Sequence, residues 1–244
     1  MEKERKAALM QHLFTYGTRS EPTKQTEVGE IPESWQLAPL KSIARLLSGG
    51  TPSKERLDWW KGNIPWISPK DLKKPRLNNV EDYITHEALN NGSCLAPAKT
   101  IFIVVRGMVL AKDIPLAIAE IPMAFNQDLK GMSVNPGYNP EYIYRAVVWR
   151  KSSLSRAIGT SAHGTKRLDT SAIEELVLPM PINLKEQDAI SMILTAAEMK
   201  ATTLEKEIAI LQEFFKAMLE ELMTGQLSAL PLIDENALAH NIPG

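Results

Sequence analysis

One cysteine, Cys94, in 244 residues excludes a disulfide framework. The four histidines, His12, His86, His163 and His240, are scattered and offer no zinc-ligand spacing. No run of 18 apolar residues occurs, which argues against a membrane-spanning helix, and the opening Met1 to Lys6, dense in Lys and Glu, does not read as a signal peptide. The expectation is a cytoplasmic protein with no membrane partner. Catalytic signatures are equally scarce. Gly49-Gly50 is a bare glycine pair without the flanking residues of a phosphate-gripping loop, and no nuclease carboxylate–lysine cluster stands out. Asp58, Asp71, Asp113, Asp128 and Asp169 lie in unlike contexts and assemble no metal site. These absences point away from an enzyme and from a cofactor or metal held by this chain.

What the sequence does contain is a long helical signal. Ile190, Leu194, Ala197, Ala201, Leu204, Ile208, Leu211, Phe215, Met218 and Leu222 alternate steps of four and three, the seam of a coiled coil. Asn183 with Glu186 reads as a capping box, Pro179 and Pro181 hold the approach extended, and Gly225 stands where a C-cap belongs. About 40 residues at ~1.5 Å each give a rod of roughly 60 Å. Such a rod cannot bury its seam on itself, so the spacing predicts a partner helix.

Charge is segregated along the chain. Residues 1–40 carry 5 basic and 6 acidic side chains, residues 41–170 carry 19 and 11, and residues 171–244 carry 4 and 12, giving nets of −1, +8 and −8. A basic middle before an acidic helix assigns contact with a polyanion to the middle alone.

That middle reads as α+β. Residues 3–14 form a short amphipathic helix, and residues 18–34 read as a polar linker. Leu40 to Leu47 suits either a short helix or a strand. Strands are expected near Ile64–Ile67, Ile101–Val105, Leu116–Glu120, Met123–Phe125, Met132–Val134 and Leu176–Leu178. Asn139-Pro140 opens a helix through Trp149, followed by a second short helix. Ser171 with Glu174 caps one further turn. The segment Leu9 to Thr15 faintly repeats Met218 to Thr224, each followed by a glycine, as though the tail of an earlier spacer helix preceded one complete repeat.

Several side chains suit DNA. Lys70, Lys73, Lys74 and Arg76 cluster in one polar loop and suit phosphate neutralisation. His163, Lys166 and Arg167 share a loop with Gly159, Ser161, Gly164 and Thr165, a mixture of flexible backbone, hydroxyls and cations able to read base edges. Arg106 closes the clearest strand and joins the candidates. Asn126 and Gln127 can pair bidentately with adenine or cap a turn between two strands. Trp59, Trp60 and Trp66 suit a core wall better than base stacking.

Two resemblances bear on function. Asn139-Pro140-Glu141-Tyr142 resembles the Asn-Pro-Pro-Tyr motif of amino-group DNA methyltransferases, with Glu in third place, although a helix cap accounts for the same residues. A broader resemblance is carried by Ile31-Pro32-Glu33-Ser34-Trp35, Gly49-Gly50-Thr51-Pro52-Ser53 and Trp59-Trp60 with Gly62 and Ile64-Pro65-Trp66. Asn126-Gln127, Leu178-Pro179-Met180-Pro181, Glu186-Gln187 and Leu222-Met223-Thr224-Gly225 continue it. Together they resemble the DNA-specificity subunit of type I restriction–modification systems, over roughly residues 5–226. The usual subunit carries two tandem units, whereas this chain has one, a half-length form. The resemblance implies a target-recognition domain with a small mixed or antiparallel sheet and short helices, followed by a long spacer helix. The expected boundaries are 1–20 for the first helix, 21–182 for the recognition domain, 183–225 for the spacer helix and 226–244 for a tail. The implied partners are double-stranded DNA, a modification subunit that binds S-adenosylmethionine, and a translocating restriction subunit. The apolar seam adds a homodimer through antiparallel helices. A stand-alone small DNA methyltransferase and a coiled-coil interaction protein without a DNA role are the competing readings.

Overall fold

The computed structural model describes residues 2–19, 21–160 and 164–225. The candidate His163 and the expected tail 226–244 lie outside them. The chain divides into a compact unit ending at Leu194 and a helical unit from Thr195 onward.

The compact unit opens with α1 (Glu2–Tyr16), the hairpin β1 (Thr23–Thr26) and β2 (Gly29–Pro32), then β3 (Gln36–Pro39), α2 (Leu40–Ile43) and β4 (Ala44–Ser48). Next come β5 (Ile64–Ile67), β6 (Arg76–Leu77), β7 (Asp82–Ile84), α3 (His86–Asn90) and β8 (Leu95–Ala96). The central strands are β9 (Ile101–Val104), β10 (Leu116–Ala119), β11 (Met123–Phe125) and β12 (Leu129–Val134). Then follow α4 (Pro140–Ser155), β13 (Ile158–Thr160), β14 (Lys166–Leu168), α5 (Thr170–Glu174), β15 (Val177–Met180) and α6 (Leu184–Met223). This is the expected α+β architecture with short helices and small sheets before one long helix.

Two sheets carry the core. One has five strands in the order β4-β12-β9-β10-β6, and the other has four in the order β7-β5-β11-β8. All pairings are antiparallel except β10 with β6 and β11 with β5. Every residue of β9 is buried, which explains its unbroken apolar run: a central strand covered on both faces has no need of alternation. Trp66 joins Ile64, Ile84, Ala88 and Ala124 in a small satellite core, with Trp59 and Trp60 packed against it. The tryptophans are a wall, as their spacing suggested.

A second aromatic group ties the helices to the sheets. Phe14 of α1 stacks on Trp149 with ring centroids 5.0 Å apart and meets Trp35 edge-on at 6.5 Å. The Tyr142 hydroxyl donates to the Pro179 carbonyl at 2.6 Å. Gln187 closes the junction, accepting from the Asn139 backbone N–H at 2.9 Å and donating to the Pro181 carbonyl at 3.1 Å. Thus Ile31–Trp35, Leu178–Pro181 and Glu186-Gln187, distant in sequence, are neighbours in one buried seam.

Several expectations change. Residues 18–34 are not a plain linker: they contain a β-hairpin whose Val28 and Ile31, followed by Trp35, are buried. Leu40 to Leu47 is both a helical turn and a strand. The helix opened by Asn139 runs unbroken to Ser155, because no Gly or Pro interrupts it. The turn near Ser171 is capped instead by Asp169, whose carboxylate accepts from the Ser171 N–H. The capping box at Asn183 is only half formed. Asn183 Oδ1 accepts from the Lys185 N–H, but Glu186 turns away to accept from the backbone and hydroxyl of Thr18, both at 3.2 Å.

The seam of α6 also divides. Ile190 and Leu194 are fully buried, whereas Ala197, Ala201, Leu204 and Met218 are half-buried. Ile208, Leu211, Phe215 and Leu222 are exposed, Leu211 at 64 % and Phe215 at 63 %. The helix ends at Gly225 with φ +73°, the left-handed cap its position predicted.

Candidate nucleic-acid interface

Strand register decides which loops meet. Phe125 of β11 pairs in parallel with Ile67 of β5, so the chain leaves both strands at the same edge. Leu129 of β12 pairs with Val104 of β9, and Lys130 pairs with Ser48 of β4. The short link Asn126-Gln127-Asp128 between β11 and β12 therefore sits where β4, β5 and β9 all end. Val104 N–H donates to the Pro115 carbonyl at the start of β10, and the parallel pairing of β6 with β10 brings the loop before Arg76 toward the same edge. Five segments converge there: Ser48–Thr51, Ser68–Pro75, Val105–Val109, Asn126–Lys130 and Lys166–Arg167.

The glycine pair is needed for this convergence. A Cβ on Gly49 would stand 2.2 Å from the Phe125 carbonyl oxygen, and one on Gly50 would stand 2.2 Å from the Gly92 carbonyl oxygen. Only glycine permits backbones so close. Gly50 N–H donates to Phe125 O at 2.8 Å, Trp66 Nε1 donates to Gly50 O at 3.1 Å, and the Thr51 hydroxyl donates to Gln127 Oε1 at 2.7 Å. The motif residues Gly49 to Thr51, Trp66 and Asn126-Gln127 thus form one bonded cluster.

Cations surround it. Arg106 and Arg167 face each other across an antiparallel bridge, and Gly107 N–H donates to the Lys166 carbonyl at 3.0 Å. Arg106 is exposed with Asp128 3.7 Å away, and Lys166 Nζ donates to Thr160 at 2.8 Å. Arg167, Lys73 and Lys74 are exposed and form no ion pair among the described residues. Lys70 is exposed but lies 2.9 Å from both Glu81 and Asp82, and these bonds raise its pKa above the ordinary lysine value. Lys130, which sequence reading missed, donates to Ser48 at 2.6 Å; it lies in β12, which begins at Leu129, ahead of the expected start at Met132.

Two candidates leave the set. Asn126 is 6 % exposed: its Oδ1 accepts from the Asp128 N–H at 3.0 Å, and its amide donates to the Asp128 carboxylate. It builds the turn, the second of the two roles its type allowed. Arg76 points elsewhere. Its guanidinium grips Glu141 bidentately at 2.9 and 2.8 Å and also reaches Glu120. Lys99, in a left-handed turn with φ 66°, adds a bond to Glu141 at 3.1 Å. Burial opposes ionisation of Glu141, but the hydrogen bonds from Arg76 and Lys99 outweigh it and lower its pKa. Glu120 shifts downward for the same opposed causes. Arg76 is thus a structural cation, because neutralising two part-buried carboxylates occupies its donors.

The methyltransferase-like motif is likewise occupied. Asn139 Oδ1 accepts from the N–H groups of Glu141 and Tyr142, capping α4, and Tyr142 is fully buried. Among the described residues no cluster of His, Cys, Asp and Glu could hold a metal, and no helix is long and apolar enough to cross a membrane.

Comparison with known proteins identifies the family. A family model described as the type I restriction modification DNA specificity domain matches residues 32–213. The EcoR124I/EcoR124II specificity subunit of Escherichia coli is 38% identical over 157 residues, covering 64% of this chain and 39% of that protein. The MjaIX specificity subunit of Methanocaldococcus jannaschii is 29% identical over 178 residues, covering 70% of this chain and 40% of that protein. Among solved structures, the HsdS subunit from Thermoanaerobacter tengcongensis superposes with a TM-score of 0.62 at 14% identity, covering 93% of this chain and 52% of that one. At that identity the likeness concerns the fold. The chain spans about half or less of the length of these relatives. Since the family match covers most of the chain, including the loop cluster and the α4–α6 side of the buried helix junction, the protein belongs to the type I restriction–modification DNA-specificity family.

Proposed function

We propose that this chain is a non-catalytic, sequence-reading unit of a type I restriction–modification complex. The observation that carries this reading is the convergence of Gly49–Thr51, Gln127, Arg106, Lys166 and Arg167 at one sheet edge, inside the segment matched to the DNA-specificity family. The exposed loop cations Lys73 and Lys74, with Arg106 and Arg167, neutralise phosphates, and the loop polar groups read base edges in the major groove. Lys70 joins at the rim once its carboxylate partners yield.

The exposed seam members Ile208, Leu211, Phe215 and Leu222 support antiparallel pairing of α6 with the same helix of a second copy, which buries both seams. Two recognition units then read two half-sites, and the helices set the unread spacing. Identical halves imply a palindromic, interrupted target. Methyl transfer from S-adenosylmethionine and DNA translocation belong to the modification and restriction subunits docked on the pair.

Modification-site mapping of genomic DNA in cells that carry this chain and its modification subunit tests the reading. A symmetric, interrupted motif is expected; modification without a fixed motif, or none at all, overturns it and favours a scaffold role. With four phosphate contacts from each of two copies, the affinity for the mapped site should fall about ten-thousandfold between 50 and 200 mM salt. A single-chain particle in light scattering at high concentration would sink the two-fold arrangement alone.

A further inference from the structure

Beside the cationic edge stands an apolar tip that the reading above leaves unused. Residues Met108–Ala111 form a single 3-10 turn between Arg106 and Lys112. Met108 is 64 % exposed and Val109 39 %, whereas Leu110 is buried beneath them at 4 %. The turn is braced: Gly107, with φ +136°, donates its N–H to the Lys166 carbonyl, and Leu110 N–H donates back to the Gly107 carbonyl at 3.2 Å. Exposed Arg106, Lys112 and Arg167, with half-buried Lys166, surround or adjoin it. The nearby acids are already engaged, Asp128 beside Arg106 and Asp113 with Lys151.

A held-out thioether ringed by cations suits a surface that is anionic at its rim and apolar at one point. Duplex DNA offers that combination in the major groove, where the 5-methyl of thymine is the apolar group on the base edges; minor-groove edges present no methyl. Methionine is polarisable and adaptable enough to close on a methyl without strict geometry. Resting on the DNA-reading function above, we propose that Met108 is a specificity-determining residue that packs against the 5-methyl of one thymine in the half-site, while Arg106 and Arg167 hold the flanking phosphates.

The test uses the full chain assembled with its modification subunit and the mapped target. Each thymine is replaced singly by deoxyuridine, which removes the methyl and leaves the hydrogen-bonding edge intact. At one symmetric position the wild type should bind about fourfold more weakly, the equivalent of ~0.8 kcal/mol for one buried methyl. Met108→Ala should lose that methyl sensitivity while keeping the wild-type salt dependence and melting temperature, and Met108→Leu should retain it. Indifference of the wild type to every thymine methyl overturns the proposal, as does a half-site without an A·T pair, or undiminished methyl sensitivity in Met108→Ala. An affinity loss in Met108→Ala that is equal on thymine and deoxyuridine duplexes also overturns it, assigning the side chain to wedging between base steps. In each of these cases salt-sensitive binding of the wild type to the mapped site leaves the DNA-reading function standing; failure of that binding sinks the function itself.

Discussion

At the helix junction, Trp35, Tyr142, Glu186 and Gln187 are buried, and the polar groups of the last three meet partners from segments far away in sequence. At the loop edge, Arg106, Gln127 and Arg167 stand in solvent, with donors that the protein leaves largely unengaged. Both regions carry residues that resemble the same family, so motif identity alone does not separate them. Partnering does. A polar group that is buried must be satisfied internally, and once satisfied it specifies the fold. A cation left free at the surface adds little to stability and is available to a ligand.

Substitutions should therefore act on different observables in the two regions. The largest effect is expected for Trp35→Ala, which empties a fully buried site against Phe14 and Tyr142 and should cost about 3–5 kcal/mol in denaturant unfolding. A loss below 1 kcal/mol would mean that the junction is not a core. Arg167→Ala is expected to weaken DNA binding about equally across sequences and to reduce the salt slope by about one per chain, while changing stability by less than about 0.5 kcal/mol. If stability falls more than affinity, the contrast between the regions is wrong.

Glu141→Ala sharpens the comparison from the structural side. It leaves Arg76 and Lys99 with Glu120 as their remaining carboxylate partner, and about 1–2 kcal/mol of stability should go with the lost bonds, with DNA affinity unchanged. The pKa values of Glu141 and Glu120 are depressed in the folded protein. Their contribution is therefore present above the unfolded-state value near ~4.3 and is lost as pH falls through the lower folded values. Unfolding free energy should decline on acidification below about pH 5, and Glu141→Ala should decline less steeply. Equal slopes for the two proteins would remove the network from the pH dependence.

Much of the fold was legible because its signals are local. The unbroken apolar run at Ile101–Val104, the Asn139-Pro140 start of α4 and the left-handed Gly225 each depend on a few adjacent residues. The misjudged elements depend on distant ones. Glu186 has the right spacing for a capping box, yet Thr18 offers it two donors from 168 residues away. The polar segment 18–34 reads as linker because its buried apolar residues, Val28, Ile31 and Pro32, are few and follow no long period, and packing within the compact unit is what orders it. At the candidate interface, the cation cluster near residue 70 looked uniform in sequence. Structure separates Lys73 and Lys74, which form no ion pair among the described residues, from Lys70, which is paired, and from Arg76, which is locked between two carboxylates.

Sequence by itself determined the chain's chemistry in bulk: a basic α+β middle, an acidic helix with a periodic apolar edge, and the absence of a disulfide framework. Periodicity and composition suffice for that because they follow from the repeat of the backbone and from counting charges. Only the tertiary structure decided which cations are available, which glycines permit close backbone contact, and where the apolar seam is covered. Those outcomes depend on strand register and on partners brought together across the whole unit, and a linear order of residues does not encode which neighbours will compete for a given donor.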